Sequence, residues 1–276
     1  MPVVRDYLRS TALPHIWCPG CGHGIILAAI LRALARIDPD RDEVVVVSGI
    51  GCASRAPGYL DFNTLHTTHG RALAFATGIK LAKPKLKVIV ITGDGDAAAI
   101  GGNHLIHAAR RNIGITTFCF NNSIYGMTGG QHSPVTPVGA LATTAPYGQL
   151  EPSFDLCGLA QASGATFVAR GTAYHAAGMT ELAYQALTNE GFSFVEAISQ
   201  CPVGYGRRNR MGDAVGMLKW QKDNTASVRA AERMAPEQLE GKILTGVLHA
   251  NSRPEYTKAY DELVARLAQD KGGTGR

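Results

Sequence analysis

Five short runs of apolar residues recur in the first two hundred positions, and an amphipathic stretch follows nearly every one. This alternation indicates strands that alternate with helices. The predicted strands span residues 43–49, 86–94, 115–122, 165–171 and 192–199. The predicted helices span residues 24–37, 70–83, 99–112, 154–162 and 174–189. Because the apolar runs are nearly continuous rather than alternating, they are typical of a parallel sheet covered by helices on both faces.

Two further segments complete the predicted architecture. Residues 122–152 contain Gly, Pro and Thr with little periodicity, which indicates a long functional loop. Beyond residue 206 the chain becomes polar and glycine-punctuated, with one predicted helix at 254–267. We therefore predict an α/β fold with an open, mostly parallel sheet in residues 1–206, followed by a C-terminal extension of residues 207–276.

Composition narrows the class of protein. The chain is 45% hydrophobic and 18% charged, and no window approaches the roughly 18 apolar residues that a membrane span needs. The N-terminus has no signal-peptide pattern, so we expect a cytoplasmic protein. A reducing compartment favours metal binding or redox chemistry for the six cysteines over structural disulfides. The net charge of +5 comes without a polybasic run, which gives little support to nucleic-acid binding.

Polar residues follow two of the predicted strands. The sequence GDG at 93–95 ends one strand, and NN at 121–122 ends the next. Because ligands bind beyond the carboxyl ends of parallel strands, Asp94 and Asn122 are expected to converge, and their oxygens suit Mg²⁺ bound to a diphosphate. GDG alone is more often a turn with Asp94 as a helix cap. With the two asparagines the layout resembles the thiamine diphosphate motif, which also implies the carbonyl of Ile124 as a ligand.

No other nucleotide motif fits these glycines. The chain contains neither the P-loop pattern nor a G-x-G-x-x-G after its first strand.

Four cysteines occupy turns. Cys18 and Cys21 form a C-x-x-C pair, and Cys52 and Cys201 directly follow the first and fifth predicted strands. Soft thiolates at these positions favour zinc or an iron–sulfur cluster, and the spacing alone does not decide between them. The neighbouring thiamine signature favours a cluster, because a cluster accepts single electrons and zinc has no redox chemistry.

Other potential ligands have simpler explanations. Cys119 and Cys157 lie inside apolar elements, where small buried side chains are expected. His104 and His107 share one helix face, but the sequence offers no third ligand nearby, so we interpret both as structural.

The motifs together resemble one family. The chain contains, in this order, WCPGCGHG, GIGCASR, HTTHGRALAFATGIKLA, ITGDGDAAAIGGNHLIHAARRN, NNSIYGMTGGQHSPVTP and VEAISQCPVGYGRRN. Over residues 15–215 it resembles the β subunit of the ferredoxin-dependent 2-oxoacid oxidoreductases. The segments YGMTGGQ, SPVTP, TTAPYG and GRRNRMG are most similar to the 2-oxoglutarate branch, although the pyruvate and branched-chain branches share much of the pattern.

The resemblance implies a set of site residues. Cys18, Cys21, Cys52 and Cys201 would bind a 4Fe-4S cluster, and Asp94, Asn122 and Ile124 would bind Mg²⁺ with thiamine diphosphate. The implied cofactor positions are Ile50, Gly51, Ser54, His66, His69, Gly70, Gly93, Asp94, Gly95, Asp96, Asn122, Ile124, Gly126, Met127 and Thr128. His69 is a candidate catalytic residue on the thiazolium or substrate side; the alternative is a histidine bonded locally at a helix N-terminus.

The resemblance also implies a reaction and partners. The family oxidatively decarboxylates a 2-oxoacid, transfers the acyl group to coenzyme A and passes electrons through the cluster to ferredoxin. Reversal toward reductive carboxylation is chemically possible, and the sequence does not indicate the direction. An α subunit would supply the pyrimidine-binding domain, with γ and δ subunits in some members. The basic segment 207–210 would favour an acidic ferredoxin or coenzyme A phosphates, or form a solvated loop.

Three alternatives remain open at this point. The reaction could use pyruvate or 2-oxoisovalerate. The chain could be half of a non-redox thiamine decarboxylase or carboligase, which needs no cluster, or a zinc-stabilised partner subunit without catalysis.

Overall fold

Eight strands form one sheet in the computed structural model, which describes residues 3–273. The strands are β1 (Val44–Ser48), β2 (Asn63–His66), β3 (Lys87–Gly93), β4 (Ile115–Asn121), β5 (Phe167–Thr172), β6 (Ser193–Ile198), β7 (Thr225–Ser227) and β8 (Ile243–Ala250). Their order across the sheet is β2-β1-β3-β4-β6-β5-β8-β7. The first six strands in this order are parallel, and β8 pairs antiparallel to β5.

Helices cover both faces of this sheet. They are α1 (His23–Ile37), α2 (Ala72–Ala82), α3 (Asp94–Ala98), α4 (Gly102–Arg110), α5 (Leu156–Ala162), α6 (Ala176–Thr188), α7 (Ala214–Asp223), α8 (Val228–Ala231), α9 (Pro236–Leu239) and α10 (Tyr256–Gly273). Short 3-10 helices span Val4–Tyr7, Ser10–Ala12, Arg41–Glu43 and Ala53–Tyr59, and a π-helical turn spans Pro202–Gly206. Helices α1 and α6 pack together, whereas α4 packs against α2 and α5 in a separate layer.

The central strands are buried on both faces, as their continuous apolar runs predict. In β4, Phe118 and Phe120 belong to the core beneath α1 and α6, while Cys119 belongs to the core on the opposite face. In β1, Val46 belongs to the core beneath α1 and α6, and Val47 belongs to the core on the opposite face. Because each side chain of these strands meets a helix layer, both sheet faces contribute to hydrophobic stabilisation. The predicted fold class is confirmed.

The observed elements differ from the predicted ones in three places. The predicted helix at 99–112 is observed as α4, and a separate helix, α3, begins at the end of β3. The two helices are separated at Gly101, where a Cβ atom would lie 2.3 Å from the Asp96 carbonyl oxygen. Strand β2 was not predicted, because the sequence NTLH has no apolar run. Strands β7 and β8 were not predicted either.

Residues beyond 206 join the same sheet. Strand β8 pairs with β5 and β7 pairs with β8, so the predicted extension widens the sheet by two strands. The helix predicted at 254–267 is observed as α10. A division of the chain at residue 206 stays a prediction. Among residues 3–273, no helix combines the length and the apolar character needed to cross a membrane.

One buried side chain connects the C-terminal segment to the sheet. Asn112 is 1% exposed and has a φ of +51°, a left-handed conformation that asparagine tolerates well. Its Nδ2 donates to the carbonyl oxygens of Arg253 and Pro254 at 3.1 and 3.0 Å. Its Oδ1 accepts from the Phe192 N–H at 2.8 Å and from Thr166 Oγ1 at 3.1 Å. The Asn112 amide therefore joins the segment before α10 to the chain before β5 and β6.

We expect Asn112→Ala to lower the free energy of unfolding by about 3 kcal/mol, because it leaves buried backbone groups without partners. Urea unfolding of the purified protein measures this change. The matched control is Asn103→Ala, at an exposed position of α4, for which a change within about 0.5 kcal/mol is expected. Equal effects of the two substitutions would contradict the role assigned to Asn112.

Candidate active site

A cavity of about 150 Å³ opens at the edge of the sheet where β1, β3 and β4 end. Open α/β sheets bind their ligands at this edge. The predicted cofactor positions that line the cavity are Ile50, Gly51, His69, Gly93, Asp94, Gly95, Asp96, Asn122, Ile124, Gly126, Met127 and Thr128. The structure therefore brings most of the predicted site into one pocket.

Three predicted cofactor positions lie outside this lining. His66 is exposed at the end of β2, and its Nδ1 lies 3.0 Å from Ser48 Oγ. The same Ser48 hydroxyl donates to the Ser54 carbonyl oxygen at 3.0 Å. The Gly70 N–H donates to Asp96 Oδ1 at 2.6 Å. In this structure all three residues support the loops around the cavity.

Asp94 is the first residue of α3 and is buried, with 3% of its surface exposed. Ser133 Oγ donates a hydrogen bond of 2.5 Å to Asp94 Oδ2. Burial raises the pKa of the Asp94 carboxyl group to about 7, while the hydrogen bonds from Ser133 and from backbone N–H groups lower it. A bound cation would stabilise the ionised form of such an acid. The environment of Asp94 therefore suits a metal ligand.

Asn122 lies in a turn that hydrogen bonds hold at the end of β4. Its Oδ1 accepts from the Ile124 N–H at 3.3 Å. Ser123 has a φ of +59°, and its N–H donates to Asn121 Oδ1 at 2.9 Å. Thr136 Oγ1 donates to the Ser123 carbonyl oxygen at 2.6 Å. Because a left-handed serine is unfavourable on its own, these contacts determine where the Asn122 amide lies.

A buried carboxylate supports this turn from below. Glu196 in β6 is 4% exposed, and its Oε1 accepts from Asn121 Nδ2 at 2.6 Å. Its Oε2 accepts from Arg170 Nε at 2.6 Å and from the Cys157 thiol at 3.3 Å. Arg170 Nη2 also donates to Asp155 Oδ1 at 2.9 Å. Glu196 was not predicted from the sequence, because it lies within an apolar strand and outside any motif.

Asp96 connects the loops that follow three strands. Its Oδ1 accepts from His69 Nδ1 and from the Gly70 N–H, each at 2.6 Å. The same oxygen accepts from the Ile50 N–H at 3.3 Å, and Oδ2 accepts from Thr92 Oγ1 at 2.8 Å. A carboxylate with these four donors is fully engaged within the protein. Asp96 therefore shapes the cavity by fixing its loops.

The hydrogen bond to Asp96 orients His69. Because Nδ1 donates to the carboxylate, Nε2 is the nitrogen left for a ligand. The His69 ring packs edge-on against Tyr125, and the two ring centroids are 6.0 Å apart. Tyr125 in turn donates from its hydroxyl to the Gly95 carbonyl oxygen at 3.2 Å. A Cβ atom at Gly95 would lie 2.2 Å from the Tyr125 ring, so this contact requires glycine.

The four predicted cysteines come together beside the same cavity. Cys18 and Cys21 share a turn before α1, Cys52 follows β1, and Cys201 follows β6. A Cβ atom at Gly126 would lie 3.6 Å from Cys52 Sγ and 3.5 Å from Cys201 Sγ. All four cysteines are free thiols. Within residues 3–273, no three His, Cys, Asp or Glu side chains are spaced to hold a single metal ion.

Burial raises the pKa of three of the four thiols, Cys21, Cys52 and Cys201, whereas Cys18 is exposed. Burial raises the pKa of Cys21 to about 12, and the other three thiols contribute to the rise. Burial also raises the pKa of Cys52 to about 11, with contributions from Cys201 and Cys18. The pKa of Cys201 is raised by burial and lowered by backbone N–H donors. Cationic iron would stabilise such thiols as thiolates.

Backbone geometry adapts two loops to these sulfur atoms. The Gly204 N–H donates to Cys201 Sγ at 3.3 Å, and a Cβ atom at Gly204 would lie 3.2 Å from this sulfur. A Cβ atom at Gly20 would lie 2.3 Å from the Cβ atom of Ala214, so the C-x-x-C turn packs tightly against the start of α7. Both glycines allow approaches that a larger residue would block.

His23 lines the cavity and was not predicted. It is 1% exposed, and its Nδ1 lies 2.8 Å from Ser199 Oγ. Burial lowers the pKa of His23 to about 3, so its ring is neutral at physiological pH. The ring packs edge-on against Phe120 and Trp17. The sequence signal that could have identified His23 is its place in the WCPGCGHG motif, two residues after Cys21.

The remaining cysteines and histidines agree with the structural interpretation. Cys119 and Cys157 are 0% and 2% exposed and belong to the hydrophobic core. His104 Nε2 accepts from Arg71 Nη1 at 3.1 Å, and His107 lies on the same helix, α4.

The fold and the cavity define a thiamine diphosphate-binding protein. Residues 44–197 match the family described as thiamine pyrophosphate enzyme, C-terminal TPP binding domain. This range contains the strands that surround the cavity.

Similar proteins of known name define the class of thiamine diphosphate-binding protein more closely. The 2-oxoglutarate synthase subunit KorB of Methanothermobacter marburgensis is 55% identical over 249 residues, which is 90% of this chain and 87% of the relative. The Archaeoglobus fulgidus protein of the same name is 59% identical over 79% of this chain and 80% of the relative. A solved 2-oxoglutarate:ferredoxin oxidoreductase from Magnetococcus marinus, with 2-oxoglutarate, coenzyme A and succinyl-CoA bound, superposes with a TM-score of 0.86. The two sequences are 36% identical, and the superposition covers 97% of this chain and 91% of the solved chain.

The chain belongs to the family of β subunits of the 2-oxoacid:ferredoxin oxidoreductases, in the branch of the KorB subunits of 2-oxoglutarate synthase. The family and the branch that the motifs predicted are therefore confirmed.

We expect Glu196→Gln to lower the free energy of unfolding by about 3 kcal/mol and to weaken thiamine diphosphate binding. The introduced NH₂ group would face a donor on Asn121 or Arg170, and the partly buried guanidinium of Arg170 would lose its more buried counter-charge. Urea unfolding and calorimetric titration measure the two effects.

The matched control is Glu190→Gln. Glu190 forms an exposed ion pair with Lys258, which contributes less than about 1 kcal/mol. If both glutamine variants behave alike, the supporting role of Glu196 is refuted.

Proposed function

We propose that this chain is the catalytic β subunit of a coenzyme A-dependent 2-oxoglutarate:ferredoxin oxidoreductase. One observation carries the proposal. A Cβ atom at Gly126 would lie within 3.9 Å of Cys52 Sγ, Cys201 Sγ and Asn122 Nδ2. The thiol group and an expected metal ligand of the diphosphate therefore meet at one glycine. A thiamine decarboxylase without redox chemistry has no need for this arrangement.

Asp94, Asn122 and the carbonyl of Ile124 would hold Mg²⁺ and, through it, the diphosphate. These groups provide hard oxygen donors, which Mg²⁺ prefers. Ser133 orients the carboxylate of Asp94 through its hydrogen bond, and the Glu196–Asn121 contact holds the turn that carries Asn122. Asp96 fixes the surrounding loops, including Ile50 and His69.

Cys18, Cys21, Cys52 and Cys201 would hold a 4Fe-4S cluster through one thiolate each. Each of the four irons binds one cysteine sulfur. The four sulfur atoms therefore lie farther apart than they would around a single metal ion. The N–H groups of the turn after Cys201 point at its sulfur, and such bonds tune the potential of iron–sulfur clusters.

Bound thiamine diphosphate supplies the carbanion chemistry that removes CO₂ from a 2-oxoacid, and a cluster accepts the two resulting electrons one at a time. One 2-oxoacid and one coenzyme A thiol give one acyl-CoA, one CO₂, one proton and two electrons. This chain would position the diphosphate, and His69, which lines the cavity and bonds Asp96 through Nδ1, would use Nε2 to hold or move a proton.

The proposal includes partner subunits. The matched range of 44–197 corresponds to one domain, the C-terminal TPP binding domain, and would supply the diphosphate-binding half of a thiamine site. An α subunit would supply the pyrimidine-binding domain and its activating carboxylate, with γ and δ subunits in some complexes. Ferredoxin would receive the electrons.

Two variants should separate the two cofactor sites in the anaerobically purified complex. In the unsubstituted complex we expect about four irons per chain, an equal amount of acid-labile sulfide, and bound thiamine diphosphate. Cys201→Ser should lose iron and keep thiamine. Asp94→Asn should keep iron and bind thiamine diphosphate at least about tenfold more weakly. Zinc in place of iron would refute the proposal, and thiamine without iron would support the decarboxylase alternative.

Substrate choice is tested with the assembled complex, coenzyme A and a viologen dye as electron acceptor. We expect kcat/KM for 2-oxoglutarate to exceed that for pyruvate and 2-oxoisovalerate by at least about 100-fold, because a site built for a second carboxylate rejects substrates that leave its polar groups unpaired. A preference for pyruvate or 2-oxoisovalerate would contradict the proposed substrate.

A further inference from the structure

His23 contacts two of the chain segments that carry the thiol group. It is the first residue of α1 and follows Cys21 by two positions. Its Nδ1 lies 2.8 Å from the hydroxyl oxygen of Ser199, which precedes Cys201 by two positions. The His23 side chain therefore joins the C-x-x-C turn to the segment that leads from β6 to Cys201.

Two aromatic rings fix the plane of the His23 imidazole. Trp17 packs edge-on against it with ring centroids 5.7 Å apart, and Phe120 packs edge-on with ring centroids 5.2 Å apart. Trp17 is itself held in place, because its Nε1 donates to the Cys52 carbonyl oxygen at 2.7 Å. A buried ring that is packed on two sides keeps one orientation. Through Trp17, His23 is also connected to the segment that carries Cys52.

The hydrogen bond with Ser199 identifies the protonated nitrogen of His23. Ser199 is 5% exposed, and in the part of the chain that the structure describes its hydroxyl has no hydrogen-bond partner other than His23 Nδ1. A buried hydroxyl group that donates to no acceptor is costly. We therefore assign the hydroxyl as the donor and Nδ1 as the acceptor, which places the ring proton on Nε2.

The Nε2 atom of His23 is open to the cavity. Between residues 3 and 273, the only hydrogen bond of the ring is the one at Nδ1. The buried side-chain nitrogen and oxygen atoms without a partner in this range are Ser54 Oγ and Thr117 Oγ1, so Nε2 is not sealed within protein. The open space that His23 lines is the cavity, which Cys52 lines as well. An N–H donor of this chain is therefore available there.

The surroundings of His23 favour the cluster over the diphosphate as the acceptor. Its contacts lead to the segments of three of the four cysteines. Within the described range of 3–273, none of its hydrogen bonds or aromatic contacts involves Asp94, Asn122 or Ile124. The sulfur atoms of an iron–sulfur cluster accept hydrogen bonds, and these bonds help to set its reduction potential.

We propose that His23 donates a hydrogen bond from Nε2 to the iron–sulfur cluster of the four cysteines and raises the reduction potential of that cluster. The proposal rests on the proposed function and adds a residue that sets the electron affinity of the cluster. The reduced cluster carries one more negative charge than the oxidised cluster, so an N–H donor stabilises the reduced form more strongly. Ser199 keeps the donor in place by holding Nδ1 as an acceptor.

The test measures the midpoint potential of the cluster in the assembled complex, by a redox titration followed by electron paramagnetic resonance. His23→Phe keeps an aromatic ring between Trp17 and Phe120 and removes both nitrogens. We expect the equilibrium constant for one-electron reduction of the cluster to fall about tenfold, which lowers the potential by about 59 mV. His23→Gln keeps an N–H donor and should stay within about threefold of the unsubstituted complex.

Two further readouts distinguish this role from a general structural one. Iron content and the dissociation constant of thiamine diphosphate should stay within about twofold of the unsubstituted complex in both variants. The matched control is His107→Phe, at an exposed position of α4, which should leave the midpoint potential unchanged.

A second measurement needs no substitution. The complex is produced with histidine that carries ¹⁵N in the ring only, and the reduced cluster is studied by pulsed electron paramagnetic resonance. We expect coupling of the cluster spin to a histidine ring nitrogen and to one exchangeable proton, because the donor is an N–H group.

The proposal is overturned if His23→Phe leaves the midpoint potential unchanged, or if His107→Phe shifts it equally. It is also overturned if His23→Phe weakens thiamine diphosphate binding without moving the potential, since Nε2 would then face the diphosphate. If His23→Phe does not retain iron, the labelled complex decides, and a lack of ring-nitrogen coupling overturns the proposal. Failure of the proposed function is distinct, because the unsubstituted complex would then contain no iron–sulfur cluster to titrate.

Discussion

Parallel pairing of β1, β3, β4 and β6 is the constraint on which the site depends. Parallel strands end at one edge of a sheet, so the residues that follow them lie close together although they are far apart in sequence. Cys52, Asp94, Asn122 and Cys201 each follow one of these four strands. Two of the four thiols and the Asn122 amide therefore meet at one glycine, Gly126.

Two buried carboxylates give this edge its precise shape, and neither is an expected metal ligand. Asp96 holds the loops after β1 and β2 to the start of α3, and Glu196 holds the turn that carries Asn122. A buried acid is costly unless hydrogen bonds satisfy its oxygens, and both acids are satisfied by several donors. Much of the polar chemistry of the site therefore serves to fix backbone positions.

The parts that were predictable from sequence have a local signal. The five central strands are continuous apolar runs, and Cys52, Asp94 and Cys201 follow recognisable strand ends. Strand β2 has no such signal because it is polar and half-exposed, and in β8 Thr245 and Gly246 interrupt the apolar run of the sequence. The role of Glu196 depends on contacts with Asn121 and Arg170, and pairings between distant residues are not visible in the residue pattern.

The central claim is that the thiol group of this chain receives electrons from the 2-oxoacid bound in the adjacent cavity. Electron paramagnetic resonance tests it most directly, with the assembled complex mixed with 2-oxoglutarate and rapidly frozen before any ferredoxin is added. The account predicts the signal of a reduced iron–sulfur cluster, which is absent from the Cys201→Ser complex. Consumption of 2-oxoglutarate to acyl-CoA without any such signal would contradict it.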